Sequence, residues 1–365
     1  MSTATSRMTP LPRFPWDRLR PYADTARAHP DGPVDLSMGT PVDSVPEVVR
    51  AALTGAADSP GYPLTIGTPR LRAAMSTWLT DVCGASSSIG ALPTIGSKEL
   101  VANLPSQLGL GAGDLIAIPS IAYPTYEIGA LLAGADVVRT NDPTAIDDDR
   151  LRLIWLNHPN NPTGATLPAS RLAAIVDWAR ERDVLVVADE CYVELPWTAR
   201  QTSILDTSVS GENAEGVLAV HSLSKRSNLA GYRAAFVAGD AAIIAGLMEL
   251  RRHAGFLLPA PVQAAMTAAL LDTAHADEQR ERYRRRRDVL LTAVTKAGFR
   301  VDHSEAGLYL WITRDEDCWE TVAWFAARGI VVAPGEFYGP DGARHVRVAL
   351  TASDADIAAA ADRVA

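Results

Sequence analysis

The sequence predicts an α/β chain in which a large, mostly parallel sheet is joined to a smaller α+β unit. Between Pro46 and Ala274, short apolar runs alternate with helical stretches, the pattern of repeated βα units. After Ala274 the texture changes to a highly charged helix followed by short strand-like runs. The length of 365 residues suits two domains at roughly 150 residues each.

From Arg13 to Asp31, Pro and aromatic residues give way to small helix formers, which reads as an extended arm with a short helix. The apolar runs LIAIP (115–119), LRLIWL (151–156), VLVVADE (184–190), VLAVHSL (217–223) and AAFVAG (234–239) read as buried strands. LPASRLAAIVDWARER (167–182) has helical periodicity. Beyond Ala274 the spacing predicts a charged helix over Glu278–Lys296, strands near 309–312, 330–333 and 345–349, and helices at 318–328 and the C-terminus. The expected division is 1–45 for the arm and part of the small unit, 46–274 for the large domain and 275–365 for the small domain. The basic run Arg284–Arg287 reads as a solvated helix face beside acidic neighbours.

Composition narrows the function. Hydrophobic residues at 47% and charged residues at 21% are those of an ordinary globular chain. The net charge of −9 argues against a nucleic-acid partner, whose phosphates need a basic face. The opening segment MSTATSRMTP has no apolar stretch, and runs such as Ala241–Met248 are too short to cross a bilayer. Cys83, Cys191 and Cys318 are scattered, as reduced thiols are, and no spacing resembles a metal site. No membrane and no metal are expected, and a cytoplasmic location is.

The chemistry is carried by a few clusters. In HSLSKRSNLAGYR (221–233), Lys225 follows a buried strand, where a long cation needs a partner or a role. Burial frees a lysine amine, and that amine forms an imine with an aldehyde. Ser222 and Arg233 flank it and suit a phosphate, Arg233 by a bidentate clamp. In ADECY (188–192), Asp189 ends a hydrophobic strand, the edge where open α/β sheets bind ligands. A carboxylate there suits a protonated ring nitrogen, and Tyr192 a ring oxygen. WLNHPNNPTG (155–164) is a turn after a strand, and Asn161 within it can aim an amide at the same oxygen. In LPTIGSKELVANL (92–104), Gly96, Ser97 and Lys98 open a helix whose free N–H groups make an anion site. Tyr123 in AYPTYE can stack on an aromatic ring. Arg347 in HVRVAL lies in an apolar strand and needs an anion, which a substrate carboxylate supplies. Tyr62, in the Pro/Gly-rich PGYPLTIGTP, can reach a phosphate of a neighbouring subunit. Arg18, Arg20 and Arg226 lie in segments expected to border a cleft.

The ordered set NPTG (161–164), DECY (189–192), SLSK (222–225) and the GYR ending at Arg233 resembles the fold-type I aminotransferases of the aspartate aminotransferase superfamily, over nearly the whole chain. The resemblance implies a large domain with a seven-stranded, mostly parallel sheet, a smaller α+β domain, pyridoxal 5′-phosphate (PLP) as cofactor, and a homodimer. It implies that Lys225 binds the cofactor covalently and then transfers the proton. Asp189 then pairs with the pyridine nitrogen, Asn161 and Tyr192 bond the ring oxygen, and Tyr123 stacks on the ring. Ser97, Lys98, Ser222, Arg233 and, across the interface, Tyr62 hold the phosphate, while Gly39 and Arg347 meet the substrate carboxylate.

Longer stretches, among them PGYPLTIGTPRLR, GSKELVANLP, RRHAGFLLPAPVQAAM and APGEFYGPDGARHVRVALT, are similar to the actinobacterial N-succinyldiaminopimelate aminotransferases. That implies amino-group exchange between glutamate, leaving as 2-oxoglutarate, and a succinylated amino-keto acid in lysine and diaminopimelate biosynthesis. Asn160 stands where Ser is expected and Ala235 where Gly is usual. Because the same cofactor residues serve an aspartate- or aromatic-type aminotransferase or a carbon–sulfur lyase, those readings stay open. A transcription regulator is disfavoured, since about 40 residues without a basic excess precede the large domain.

Overall fold

The computed structural model describes residues 11–198 and 200–365, so the opening segment MSTATSRMTP lies outside the described residues. In chain order the strands are β1 Val34–Asp35, β2 Gly90–Ile95, β3 Leu115–Ile118, β4 Asp136–Arg139, β5 Leu151–Asn157, β6 Leu185–Asp189, β7 Val217–Ser222, β8 Ala234–Gly239, β9 Arg300–Val301, β10 Tyr309–Thr313, β11 Ile330–Val331, β12 Ala333–Pro334 and β13 Val346–Ala349. Seven form one sheet in the order β2-β8-β7-β6-β5-β3-β4. All neighbours are parallel except β8, which runs antiparallel to both β2 and β7. The five apolar runs read from the sequence are β3, β5, β6, β7 and β8; β2 and β4 complete the sheet.

Helices cover both faces, so the strands are apolar on both sides. Alternation sorts their side chains. Val186, Ala188, Val217 and Ala219 pack on one face with Leu71, Trp78 and Ile175. Val187, Leu218 and Val220 pack on the other with Leu100, Val101 and Tyr126. Because successive residues of a strand point to opposite faces, Asp189 and Ser222 follow the second set, and Glu190 and His221 the first.

The second core surrounds an antiparallel sheet, β12-β13-β10-β9, with Arg347 in its β13 strand opposite Trp311 and Ala333. The run 330–333, read as a single strand, is divided between two sheets: β11 pairs with β1, and β12 with β13. The Arg284–Arg287 reading also needs correction. Arg286 is buried and pairs with Asp43 at 2.7 Å and Asp354 at 2.5 Å, because it sits on the inner side of helix Ala274–Lys296. Among the described residues no helix is long and apolar enough to cross a membrane.

Candidate active site

Register brings the ends of the parallel strands together: Asn157 lies beside Asp189, and Asp189 beside Val220, two residues before Ser222. Asp189 is 7% exposed. It accepts hydrogen bonds from the Tyr126 hydroxyl at 2.9 Å and the Cys191 N–H at 3.2 Å. Burial holds its pKa above the usual carboxylate value. Such a carboxylate, bonded only to neutral donors, suits a positive partner. Tyr126 escaped the sequence reading because Tyr123, in the same AYPTYE run, drew the ring-stacking role.

Lys225 stands on the single helical turn Leu223–Arg226 directly after β7. It is half-buried, and its ammonium donates to the Gly39 carbonyl. Burial lowers its pKa; Tyr309 opposes that, while Arg347 and Arg233 add to it. The amine is therefore more available than that of a surface lysine.

Around it the small sheet contributes two residues. Arg347, 4% exposed, donates to the Asn161 side-chain oxygen at 3.0 Å and the Ser37 carbonyl at 2.5 Å. Its buried Nε has no partner among the described residues. Asn161 accepts through its side-chain oxygen, and its backbone N–H donates to the Asn157 side-chain oxygen at 2.7 Å. Tyr309, which sequence reasoning missed, lies under the Arg347 guanidinium at 4.0 Å and meets the Tyr192 hydroxyl at 3.2 Å. Burial opposes its ionisation, but Arg347 and Lys225 outweigh that and hold its pKa below the usual tyrosine value. A Cβ at Gly39 would lie 2.1 Å from the Tyr309 hydroxyl, so only glycine lets this backbone approach.

The corner expected to take an anion comprises Gly96, Ser97, Ser222 and Arg233. Gly96 has φ +79° and opens helix Ser97–Gln107. A Cβ there would sit 2.2 Å from Arg233 Nη2, which places the guanidinium against the helix N-terminus. Ser222 accepts from the Ser224 N–H at 3.2 Å, and its own O–H stays available to donate. Lys98 is exposed, with its ammonium 5.8 Å from the Phe14 ring centre. Tyr123 is half-buried, edge-on to Tyr126 at 5.8 Å. Tyr62 is 97% exposed and is not brought to the site of its own chain.

Of the basic residues expected to border the cleft, Arg226 needs correction. Arg226 is buried on the far side of the sheet, paired with Glu194 and donating to the Ala269 carbonyl at 2.8 Å. Arg18 pairs with Glu336 at 2.8 Å and lies over Trp319 at 4.6 Å. Arg20 is exposed. Trp16 docks on Phe337 and Tyr338, with ring centres 5.0 and 6.3 Å apart, which joins the arm to the loop after β12. Asn160 instead of Ser is accommodated: its side-chain oxygen accepts from Thr163 N–H at 3.1 Å and hydroxyl at 2.9 Å. Ala235 is buried in register with Thr94 and Ser222.

The family model "Aminotransferase class I and II" matches residues 31–364. The 4-dedimethylamino-4-oxo-anhydrotetracycline transaminase of Streptomyces rimosus is 53% identical over 98% of this chain and all of its own length. A probable aminotransferase of Mycobacterium tuberculosis is 54% identical over 97% of this chain and 85% of its own. Among solved structures, a probable N-succinyldiaminopimelate aminotransferase of Thermus thermophilus superposes with a TM-score of 0.86 at 28% identity, covering 96% of this chain and 98% of that one. Enzymes of this family use PLP. The residues present fit it: Gly96 lets the Arg233 guanidinium lie against a helix N-terminus, which suits a phosphate, buried Asp189 suits a cation, and Lys225 carries a depressed pKa. The chain belongs to the class I and II aminotransferases.

Proposed function

We propose that the chain is an N-succinyl-LL-2,6-diaminopimelate:2-oxoglutarate aminotransferase, a cytoplasmic homodimer. The observation that carries the reading is buried Arg347, whose unpartnered Nε beside the Asn161–Tyr309 cluster suits an α-carboxylate. The Thermus structure supports the substrate, as do relatives named LL-diaminopimelate aminotransferase, one of them 32% identical over 96% of this chain. The exposed Tyr62 supports the dimer, since its ring has nothing to do within one chain. The division at 45 and 274 is kept as the domain map, because the large sheet runs from Gly90 to Gly239 and the antiparallel one from Arg300 to Ala349.

PLP, when bound, supplies an aldehyde and a ring that accepts electrons. On this reading Lys225 would hold the cofactor covalently, and its amine would be the group that takes and returns the substrate's Cα proton. Asp189 keeps its negative charge against the ring nitrogen. Asn161 and Tyr192 bond the ring oxygen, and Tyr123 lies on the ring. Ser97, Lys98, Ser222, Arg233 and the neighbouring subunit's copy of Tyr62 hold the phosphate. Gly39 leaves room for the substrate carboxylate that Arg347 binds.

A second reading, amination of a ketone on a fused-ring substrate, is favoured by the Streptomyces rimosus relative. Single-turnover kinetics of the PLP form separate the readings. Glutamate and N-succinyl-LL-diaminopimelate are expected to react, and aspartate and aromatic amino acids only slowly. Inertness toward the succinylated substrate would overturn the substrate and leave the aminotransferase. Pyruvate, homocysteine and ammonia from cystathionine would indicate a lyase.

A further inference from the structure

Strand parity sends Asp189 and Ser222 to one face of the large sheet, and their neighbours Glu190 and His221 to the other. There they meet Cys83, the last residue of helix Pro69–Cys83. His221 Nε2 lies 4.0 Å from the Cys83 sulfur and 3.9 Å from a Glu190 oxygen, and the three ligand atoms all lie within 4.8 Å of one another. None of the three residues is more than 2% exposed.

His221 is the telling member. Its ring is held edge-on by Trp78 at 4.9 Å and tilted against Phe236 at 5.1 Å, so its direction is set. The Glu190 backbone also bonds the ring, and Nε2 faces the thiol and the carboxylate. The Glu190 carboxylate is oriented by the Ser203 hydroxyl and the Ile204 N–H, each at 2.6 Å, as an outer shell orients a metal ligand. A void of about 10 Å³ borders Glu190 and His221.

We infer that Cys83, Glu190 and His221 form a structural site for a divalent transition metal, zinc by its chemistry, on the sheet face opposite the cofactor. Tetrahedral zinc bonds of about 2.0–2.3 Å hold ligand atoms roughly 3.3–3.6 Å apart, so the three side chains close in by rotamer adjustment on binding. A mixed sulfur, nitrogen and oxygen set selects zinc over calcium or magnesium. On binding, the Cys83 thiol releases its proton to solvent and a sulfur–metal bond forms. One thiolate and one carboxylate then neutralise the ion, which makes its burial tolerable. The ion ties a helix end to the residues next to Asp189 and Ser222.

The test is the untagged holoenzyme produced in zinc- or cobalt-supplemented medium. Elemental analysis is expected to find one metal per chain. The cobalt form is expected to add visible ligand-field bands and a thiolate charge-transfer band over the metal-free holoenzyme. Cys83→Ser abolishes the charge-transfer band and His221→Gln the stoichiometric uptake, while Cys191→Ser changes neither. Should the variants fold poorly, X-ray absorption of the wild-type zinc protein is expected to show one sulfur among nitrogen and oxygen ligands. A metal-free product in both media, or cobalt bound without a sulfur ligand, overturns the site.

Discussion

At the residue scale, the site is a set of groups whose charges tune one another. Tyr309 raises the Lys225 pKa against the effect of burial, and it touches Tyr192 as well. Tyr309→Phe removes that hydroxyl while keeping the ring under Arg347. Lys225 in the cofactor-free protein is then expected to react with an amine reagent at lower pH than in wild type. An unchanged pH profile of labelling would show that the hydroxyl does not act on the lysine. Arg347 has a different signature, because glutamate and the succinylated substrate both carry an α-carboxylate. Arg347→Ala strands its partners and is expected to cost roughly 2–5 kcal/mol in kcat/KM. The loss falls equally on glutamate and the succinylated substrate. A loss confined to one of them would move the carboxylate site elsewhere.

At the element scale, turns hold the reactive side chains. The turn after β5 is anchored by buried His158, which accepts the Leu167 N–H on Nδ1 at 2.8 Å and faces the Thr202 carbonyl with Nε2 at 3.1 Å. Burial lowers its pKa from 6.5 to about 4. The unfolded chain therefore binds the extra proton first as pH falls. This contribution to stability is complete above about pH 6.5 and is lost toward pH 4, about 3 kcal/mol across the window. In His158→Gln, urea midpoints are expected to depend less steeply on pH between those values; an identical slope would remove His158 from the account. At the start of helix Ser97–Gln107, Gly96→Ala adds a Cβ 2.2 Å from Arg233 Nη2 and a residue strained at φ +79°. Cofactor dissociation is expected to speed up by about tenfold or more, for a displaced charge-assisted contact of 1.5–3 kcal/mol. Dialysis with absorbance detection measures it, and undiminished retention would place the phosphate elsewhere.

At the scale of the whole molecule, the arm and the small sheet close on the large sheet. The arm is fastened by Trp16 on Phe337 and by the Arg18–Glu336 pair. The exposed ion pair contributes little, so the aromatic contact is the one to remove. Trp16→Ala is expected to raise KM severalfold for the succinylated substrate and leave glutamate nearly unaffected, because glutamate is too short to reach the arm. Equal changes for both substrates would show that the arm does not meet the succinyl end.

The sequence by itself determined what is local. Apolar runs of four to seven residues become strands because only burial on both faces stabilises them, and β3, β5, β6, β7 and β8 follow from that. Asp189 and Lys225 were legible for the same reason, a charged group at the end of a buried strand being costly without a task. What the tertiary structure decided is partnership. Tyr126 and Tyr309 gave no local sign of a role until the fold set them on Asp189 and Tyr192, more than 60 and 100 residues away in sequence. Arg226 and Arg286 read as cleft and surface cations until Glu194, Asp43 and Asp354 were found against them. Cys83 and His221 carry no metal-binding spacing, yet the end of a helix and the alternation of β7 place them side by side. Pairs made across the chain leave no local pattern, because each partner obeys only the burial and periodicity of its own element.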